Sequence, residues 1–151
     1  MNHWLIMFRP ETYAAARERG LMAVLHMHRN RFSEIRPGDK FIAYISRQRR
    51  LDACGEVVGE PYQDVAEIPA GWVSYTERVR VRFDDTGKAR DARVALWGLT
   101  ICSEGIKTEP TNYLLVKGGF LKIPVEDYDW LRRVLDLGET AVEERVSRDS
   151  G

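Results

Sequence analysis

Short apolar runs broken by polar turns fill the first half of the chain, and an apolar stripe at helical spacing marks its last third. HWLIMF is apolar almost throughout and stops at Arg9-Pro10, which predicts a buried strand followed by a helix with proline in its first turn. PETYAAARERG is that helix: alanine-rich, with Glu11 near its start and Gly20 as a left-handed C-terminal cap. LMAVL reads as an apolar connector. In NRFSEIR, Phe32 and Ile35 stand three apart among polar residues, as in one or two helical turns. Asn30 is placed to cap that helix at its N-terminus, and Pro37-Gly38 ends it as a turn.

KFIAYIS, LDACGEVVGEP and SYTERVRVRF read as three strands. In the last, Val79, Val81 and Phe83 alternate with Arg78, Arg80 and Arg82, which predicts an apolar face and a guanidinium face. DDTGKARD is a polar turn or hairpin tip, and RVALWGLTIC fits a short helix or a strand equally well. KGGFLKIP reads as a final strand entered through two glycines. VEDYDWLRRVLDLG is the clearest helix, with Val125, Tyr128, Leu131 and Leu135 on one stripe and Gly138 at its end. Five or six short strands, a helical insertion after the first and a C-terminal helix predict an α+β domain built as a small curled sheet or barrel.

The length of 151 residues suits one domain with a real core. Residues 1–138 form that domain, and the polar, acidic stretch 139–151 is expected to be disordered. No apolar run approaches the roughly 18 residues of a membrane span. The N-terminus lacks the features of a secretory signal, so the expectation is a cytoplasmic protein without membrane contact. Cys54 and Cys102 each lie in an apolar run, as small buried hydrophobes do, and a disulfide is not expected.

Charge changes the picture locally. The formal net charge is +0, yet residues 26–50 hold seven bases (Arg29, Arg31, Arg36, Lys40, Arg47, Arg49, Arg50) against Glu34 and Asp39. A cluster of that kind attracts phosphates even in a neutral molecule. The same stretch contains His26 and His28, but with His3 as the remaining histidine and no carboxylate or cysteine at motif spacing, a metal site is not expected. Nucleophile elbows, phosphate loops and dinucleotide fingerprints do not occur in the sequence. No cofactor is expected. What does recur is aromatic side chains near bases: Trp4, Phe8, Tyr13, Tyr44, Tyr62, Trp72, Tyr75, Trp97 and Tyr113. Most of these must be core, but aromatic faces beside arginines are also how flat rings on phosphates are held.

Three segments in order carry a family resemblance. WLI near the N-terminus is followed by a helix and then by RNRFSEIRPGDKFIAYI; GEVVGEPYQD comes in the middle, and FLKIPVEDYDWL closes the chain. Together they resemble the EVE domains of the PUA-like superfamily, relatives of the YTH and ASCH domains, over residues 3 to 137, with Gly38-Asp39 and Pro124 as anchors. The resemblance implies a PUA-like pseudobarrel of five or six mostly antiparallel strands. It also implies a non-catalytic module that reads a modified or flipped base in DNA or RNA.

Carried over by position, the implied base pocket comprises Phe8, Met22 and Tyr44 as apolar walls beside Val24, with Asn30 and Ser46 hydrogen-bonding the base edge. Arg29, Arg31 and Arg47 would take phosphates. Trp4 matches a first-strand tryptophan of the core. Met22 and Ala23 stand where relatives carry tryptophan and glycine, and methionine is a less selective wall for a flat ring. Two other readings remain open. One is a small ASCH-like hydrolase of modified nucleosides, in which Lys40 or Lys117 pairs with Glu56, Glu60 or Glu104 for proton transfer. The other is a protein-interaction module with a basic face.

Overall fold

The computed structural model describes residues 1–66, 75–84, 90–91, 96, 99–100, 118–138 and 141. The long strands and terminal helices fall where the apolar pattern puts them. β1 (His3–Phe8) leads into α1 (Pro10–Arg19). The helix ends at Gly20, whose φ of 63° and ψ of 47° are the left-handed conformation that glycine adopts without strain. β3 (Lys40–Ile45), β4 (Arg50–Val57), β6 (Glu77–Asp84) and β8 (Phe120–Ile123) supply most of the sheet, and α3 (Val125–Leu137) closes the domain.

Several local expectations are corrected. LMAVL is not a connector: it forms β2 (Leu21–Val24), because its extended backbone pairs antiparallel with β6 from Leu21↔Arg80 to Val24↔Glu77. His26–His28 makes a 3-10 turn that runs straight into the four-residue α2 (Arg29–Phe32). Asn30 is therefore inside the helix and not its cap; its carbonyl accepts from Ser33 Oγ at 2.6 Å. Arg78 does not share a solvated face with Arg80 and Arg82. It is 2% exposed, because the loop after β5 (Tyr62–Gln63) covers it and supplies the Ala66 carbonyl at 2.6 Å, while Tyr75 supplies another at 3.1 Å. Val125 is also off the buried stripe of α3, which runs instead through Tyr128, Leu131, Val134 and Leu135. The polar DDTGKARD segment contributes a short strand, β7 (Arg90–Asp91), which pairs with β4.

The six longer strands follow the order β2-β6-β4-β3-β1-β8, with β5 and β7 joining from the side. Among the described residues every pairing is antiparallel except β1 with β3, the parallel pair that the helical insertion between them makes possible. This is the expected α+β half-barrel of mostly antiparallel strands with a helical insertion after the first strand and a C-terminal helix. Alternation along its central strands divides the core into two layers. Trp4, Ile6, Phe41, Ala43 and Val79 face the layer that also receives Phe32 and Ile35. Leu5, Ile42, Tyr44 and Leu51 face the layer under α3. A bulge at Asp52, between the pairs Ala43↔Ala53 and Tyr44↔Leu51, keeps the two faces in register through β4. Cys54 is buried in the α3 layer, as expected of a small hydrophobe, and burial pushes its thiol pKa up. Cys102 and most of residues 139–151 lie outside the described residues, as do Trp72, Trp97 and Tyr113.

The Pro-Gly-Asp turn joins these parts. Asp39 is 2% exposed, and its carboxylate accepts from the Asn2 amide at 2.9 Å, Trp4 Nε1 at 2.9 Å and the Arg36 amide at 3.0 Å. One side chain thus ties the start of β1, the exit from α2 and the entry to β3.

Candidate functional site

Among the described residues the two ends of the strand order are β2 and β8, and no described strand joins them. A cavity of about 150 Å³ occupies the seam between them. The end of β1 contributes Met7, Phe8 and Arg9; β2 and the residue after it contribute Met22, Ala23, Val24 and Leu25. Thr12, His28, Tyr75, Gly118 and Gly119 complete the lining. Phe8, Met22 and Val24 are buried and make the apolar walls, while Arg9 is exposed at the rim. β2 is an edge strand, with β6 as its strand partner among the described residues, so its second backbone edge is turned toward the seam.

Glycines shape the opposite wall. Gly118 and Gly119 have φ of 83° and 84°, a region that favours glycine. A Cβ at Gly118 would lie 2.8 Å from the His28 ring, so the imidazole can approach only because no side chain is there. His28 also meets Phe120 edge-on, with ring centroids 6.3 Å apart. The imidazole is therefore part of the wall. His26 is turned elsewhere, with Nδ1 3.4 Å from Glu77 Oε1, and no group of three or more metal-ligating side chains gathers among the described residues.

Of the residues implied for a base pocket, the structure brings together Phe8, Met22 and Val24. Tyr44 is not with them: in β3 it follows Ala43 and so points into the opposite core layer, 1% exposed. Ser46 continues the β1–β3 pairing, its amide donating to the Phe8 carbonyl at 2.9 Å, but it does not line the cavity. Asn30 and Arg29 border a second, shallower groove of about 300 Å³ beyond the 3-10 turn, together with Phe32, Ser33, Pro61, Tyr62, Gln63 and Glu77.

The three arginines implied for phosphates differ in what holds them. Arg29 is exposed, and its Nη1 lies 3.5 Å from the His26 carbonyl. Arg31 is engaged internally: it donates to the Phe120 carbonyl at 2.7 Å and stacks on the Phe120 ring, 4.4 Å from its centroid. Arg47 occupies a left-handed turn position, φ 66°, and pairs with Glu11 on the surface.

The lysine–carboxylate pairing of the hydrolase reading has a clear geometry. Lys40 and Glu56 are direct cross-strand partners in β3 and β4 and form an ion pair, with Arg82 3.8 Å from the same carboxylate. Their mutual hydrogen bond raises the Lys40 pKa and lowers that of Glu56, so both hold their charge more firmly near neutrality. Proton transfer needs the opposite shifts, and neither residue lines the cavity or the groove. Glu60 lies 3.7 Å from Arg36 on the surface, and Lys117 and Glu104 are outside the described residues.

The sequence pattern did not single out Met7, Arg9, Thr12, Leu25, Gly118 or Gly119 as lining residues, and it marked Tyr75 only as one of the aromatic side chains near bases. The two glycines were the available signal, since paired glycines before a strand mark a backbone conformation other residues avoid.

A mostly antiparallel half-barrel with a small cavity between its end strands defines a class of small α+β domains, and comparison with known families specifies which. The chain belongs to the EVE domain family, whose model matches residues 2–133. A UPF0310 protein of Pyrococcus abyssi is 25% identical over 146 residues, covering 89% of this chain and all of that one (100%). Two solved YTH domains share the fold. One is the Pho92 YTH domain in complex with m6A, at 14% identity and a TM-score of 0.65, covering 89% of this chain and 86% of that one. The other is the YTH domain of Zygosaccharomyces rouxii MRB1 in complex with N6-methyladenosine RNA, at 12% identity and a TM-score of 0.66, covering 89% and 88%.

Proposed function

We propose that this protein is a non-catalytic nucleic-acid-binding module that takes a modified or flipped base of DNA or RNA into the seam cavity. The observation that carries this is the cavity itself: about 150 Å³, walled by Phe8, Met22 and Val24, with β2, whose strand partner among the described residues is β6, on one side and exposed Arg9 at the mouth. Pockets for drug-sized ligands run to roughly 300–1,000 Å³, so this one suits a single ring system. Apolar walls hold the faces of such a ring, and backbone groups along the β2 edge can hydrogen-bond its rim. The YTH domains with this fold whose structures hold N6-methyladenosine support the same reading.

Phe8, Met22 and Val24 are the walls, and Arg9 and Arg29 contact the phosphates on either side. Arg31 acts by bracing Phe120 behind His28. Met22 covers the ring loosely, which predicts tolerance among related modifications.

The test is fluorescence anisotropy with short single-stranded RNA and DNA. The central base is unmodified, N6-methyladenine, 5-methylcytosine or 5-hydroxymethylcytosine. A modified base should bind more tightly than its parent, and affinity should fall steeply as salt rises. Arg29→Ala should weaken all members about equally and flatten the salt dependence. Salt-independent binding, or an Arg29→Ala variant that binds unchanged, would sink the proposal.

A further inference from the structure

The groove beyond the 3-10 turn has chemistry that the cavity lacks. Glu77 lines it and is 4% exposed. Its Oε1 accepts from Gln63 Nε2 at 3.0 Å and lies 3.4 Å from His26 Nδ1, whereas Oε2 has no hydrogen-bond partner among the described residues. A buried carboxylate oxygen without a donor is costly, and it persists where something else supplies one. The half-buried Tyr62 ring lies in the same groove, with exposed Arg29 and Asn30 on its border.

We propose that this groove is a guanine subsite. An ionised carboxylate only accepts hydrogen bonds. Adenine and cytosine set a ring-nitrogen acceptor beside their amino donor, and uracil flanks its N–H with two carbonyls. Guanine alone among the common bases presents two adjacent donors, N1–H and N2–H2, on its Watson–Crick edge. Those two donors pair with Oε1 of Glu77 and, once the side chains over the carboxylate move, with Oε2, which is enclosed in the free protein. The exposed Gln63 amide, which donates to Oε1 in the free protein, swings aside. Asn30, whose side chain can donate, faces guanine O6, and Tyr62 stacks on the ring.

The cavity and the groove flank the same segment: Leu25 and His28 border the first, Arg29, Asn30 and Ser33 the second. If the cavity holds a base as proposed above, the groove holds the guanine of a neighbouring nucleotide. That placement rests on the proposed function; the groove's preference for guanine does not.

Guanosine 5′-monophosphate, adenosine 5′-monophosphate and inosine 5′-monophosphate titrated into 15N-labelled protein separate the two ideas. The guanine nucleotide should shift the amides of residues 29–33, 62, 63 and 77 while leaving those of the cavity residues 7–9 in place. The adenine nucleotide should bind about tenfold more weakly or not at all, and inosine, lacking N2–H2, should fall between them. Glu77→Gln, which is isosteric, should abolish the guanine response, and Tyr62→Ala should weaken it. Gln63→Ala should keep it or strengthen it.

Equal responses to guanine and adenine, a guanine response retained in Glu77→Gln, or no response at these amides would each overturn the guanine subsite. A guanine response with no binding of any modified oligonucleotide would support the subsite and reject the cavity reading. Among oligonucleotides that do bind, replacing a flanking guanine by adenine should cost about tenfold in affinity, and Glu77→Gln should erase that difference.

Discussion

At the scale of the residue, Asp39 shows how much one side chain can hold. Its two oxygens take three donors from three segments, one of them the indole of Trp4, the largest fully buried side chain among the described residues. Asp39→Ala would strand the Trp4 N–H in the core and release the Arg36 and Asn2 amides. A buried donor left unpaired costs roughly 1–3 kcal/mol, so urea unfolding should show a loss of about 2–4 kcal/mol, allowing for one buried and two partly buried donors. Asp39→Asn, which keeps one acceptor, should lose less. An Asp39→Ala protein as stable as the parent would show that water replaces the carboxylate without cost. Met22 is the complementary case. It is 2% exposed and part of the apolar core layer, yet it also borders the cavity, so its size sets both packing and pocket width.

At the scale of the element, the β3–β4 pair combines a buried interior with a charged surface stitch. Lys40 and Glu56 stand directly opposite one another and pair across the strands. Glu56 has its pKa lowered by Lys40, so its contribution is present above the ordinary carboxylate range and is lost as pH falls through the depressed value. Lys40 has its pKa raised by Glu56, so its contribution is present below the ordinary lysine range and is lost as pH rises through the elevated value. The pair therefore stabilises across neutrality and fails at both extremes. The difference in urea midpoint between the parent and Glu56→Gln should be flat near neutral pH and shrink toward zero in acid. A pH-independent difference would mean that the ion pair is not its source. Salt should reduce the effect, because both groups are partly exposed.

At the scale of the whole molecule, β1, β3 and β4 each send alternate side chains into both core layers. Neither layer can come apart without the strands it shares with the other, so the domain should unfold as one unit. Val79→Ala lies in the first layer and Leu131→Ala in the layer under α3. Each should lower a single transition, by about 1–2 kcal/mol for valine and about 2–5 kcal/mol for leucine. Circular dichroism and tryptophan fluorescence should give coincident curves for both variants. Separate transitions in either one would mean that the layers are independent.

The local apolar pattern and the turn chemistry determined the elements: HWLIMF, KFIAYIS and the long C-terminal helix depend on period and on Gly20, Pro37-Gly38 and Gly138 as stops, and these are properties of neighbours in sequence. The order of motifs also pointed to the EVE family. Only the tertiary structure decided which side chains meet. LMAVL is too short to declare itself a strand and becomes one because β6 offers it an edge. Arg78 reads as one of three solvated guanidiniums and is buried because a distant loop closes over it. Tyr44 and Phe8 look alike as aromatic strand ends, yet the β1–β3 register and strand alternation send them to opposite core layers. Sequence places a residue on a strand or helix; which cavity it lines depends on contacts between segments far apart in the chain, and that is why Asn30 borders the Glu77 groove while Gly118 lines the seam.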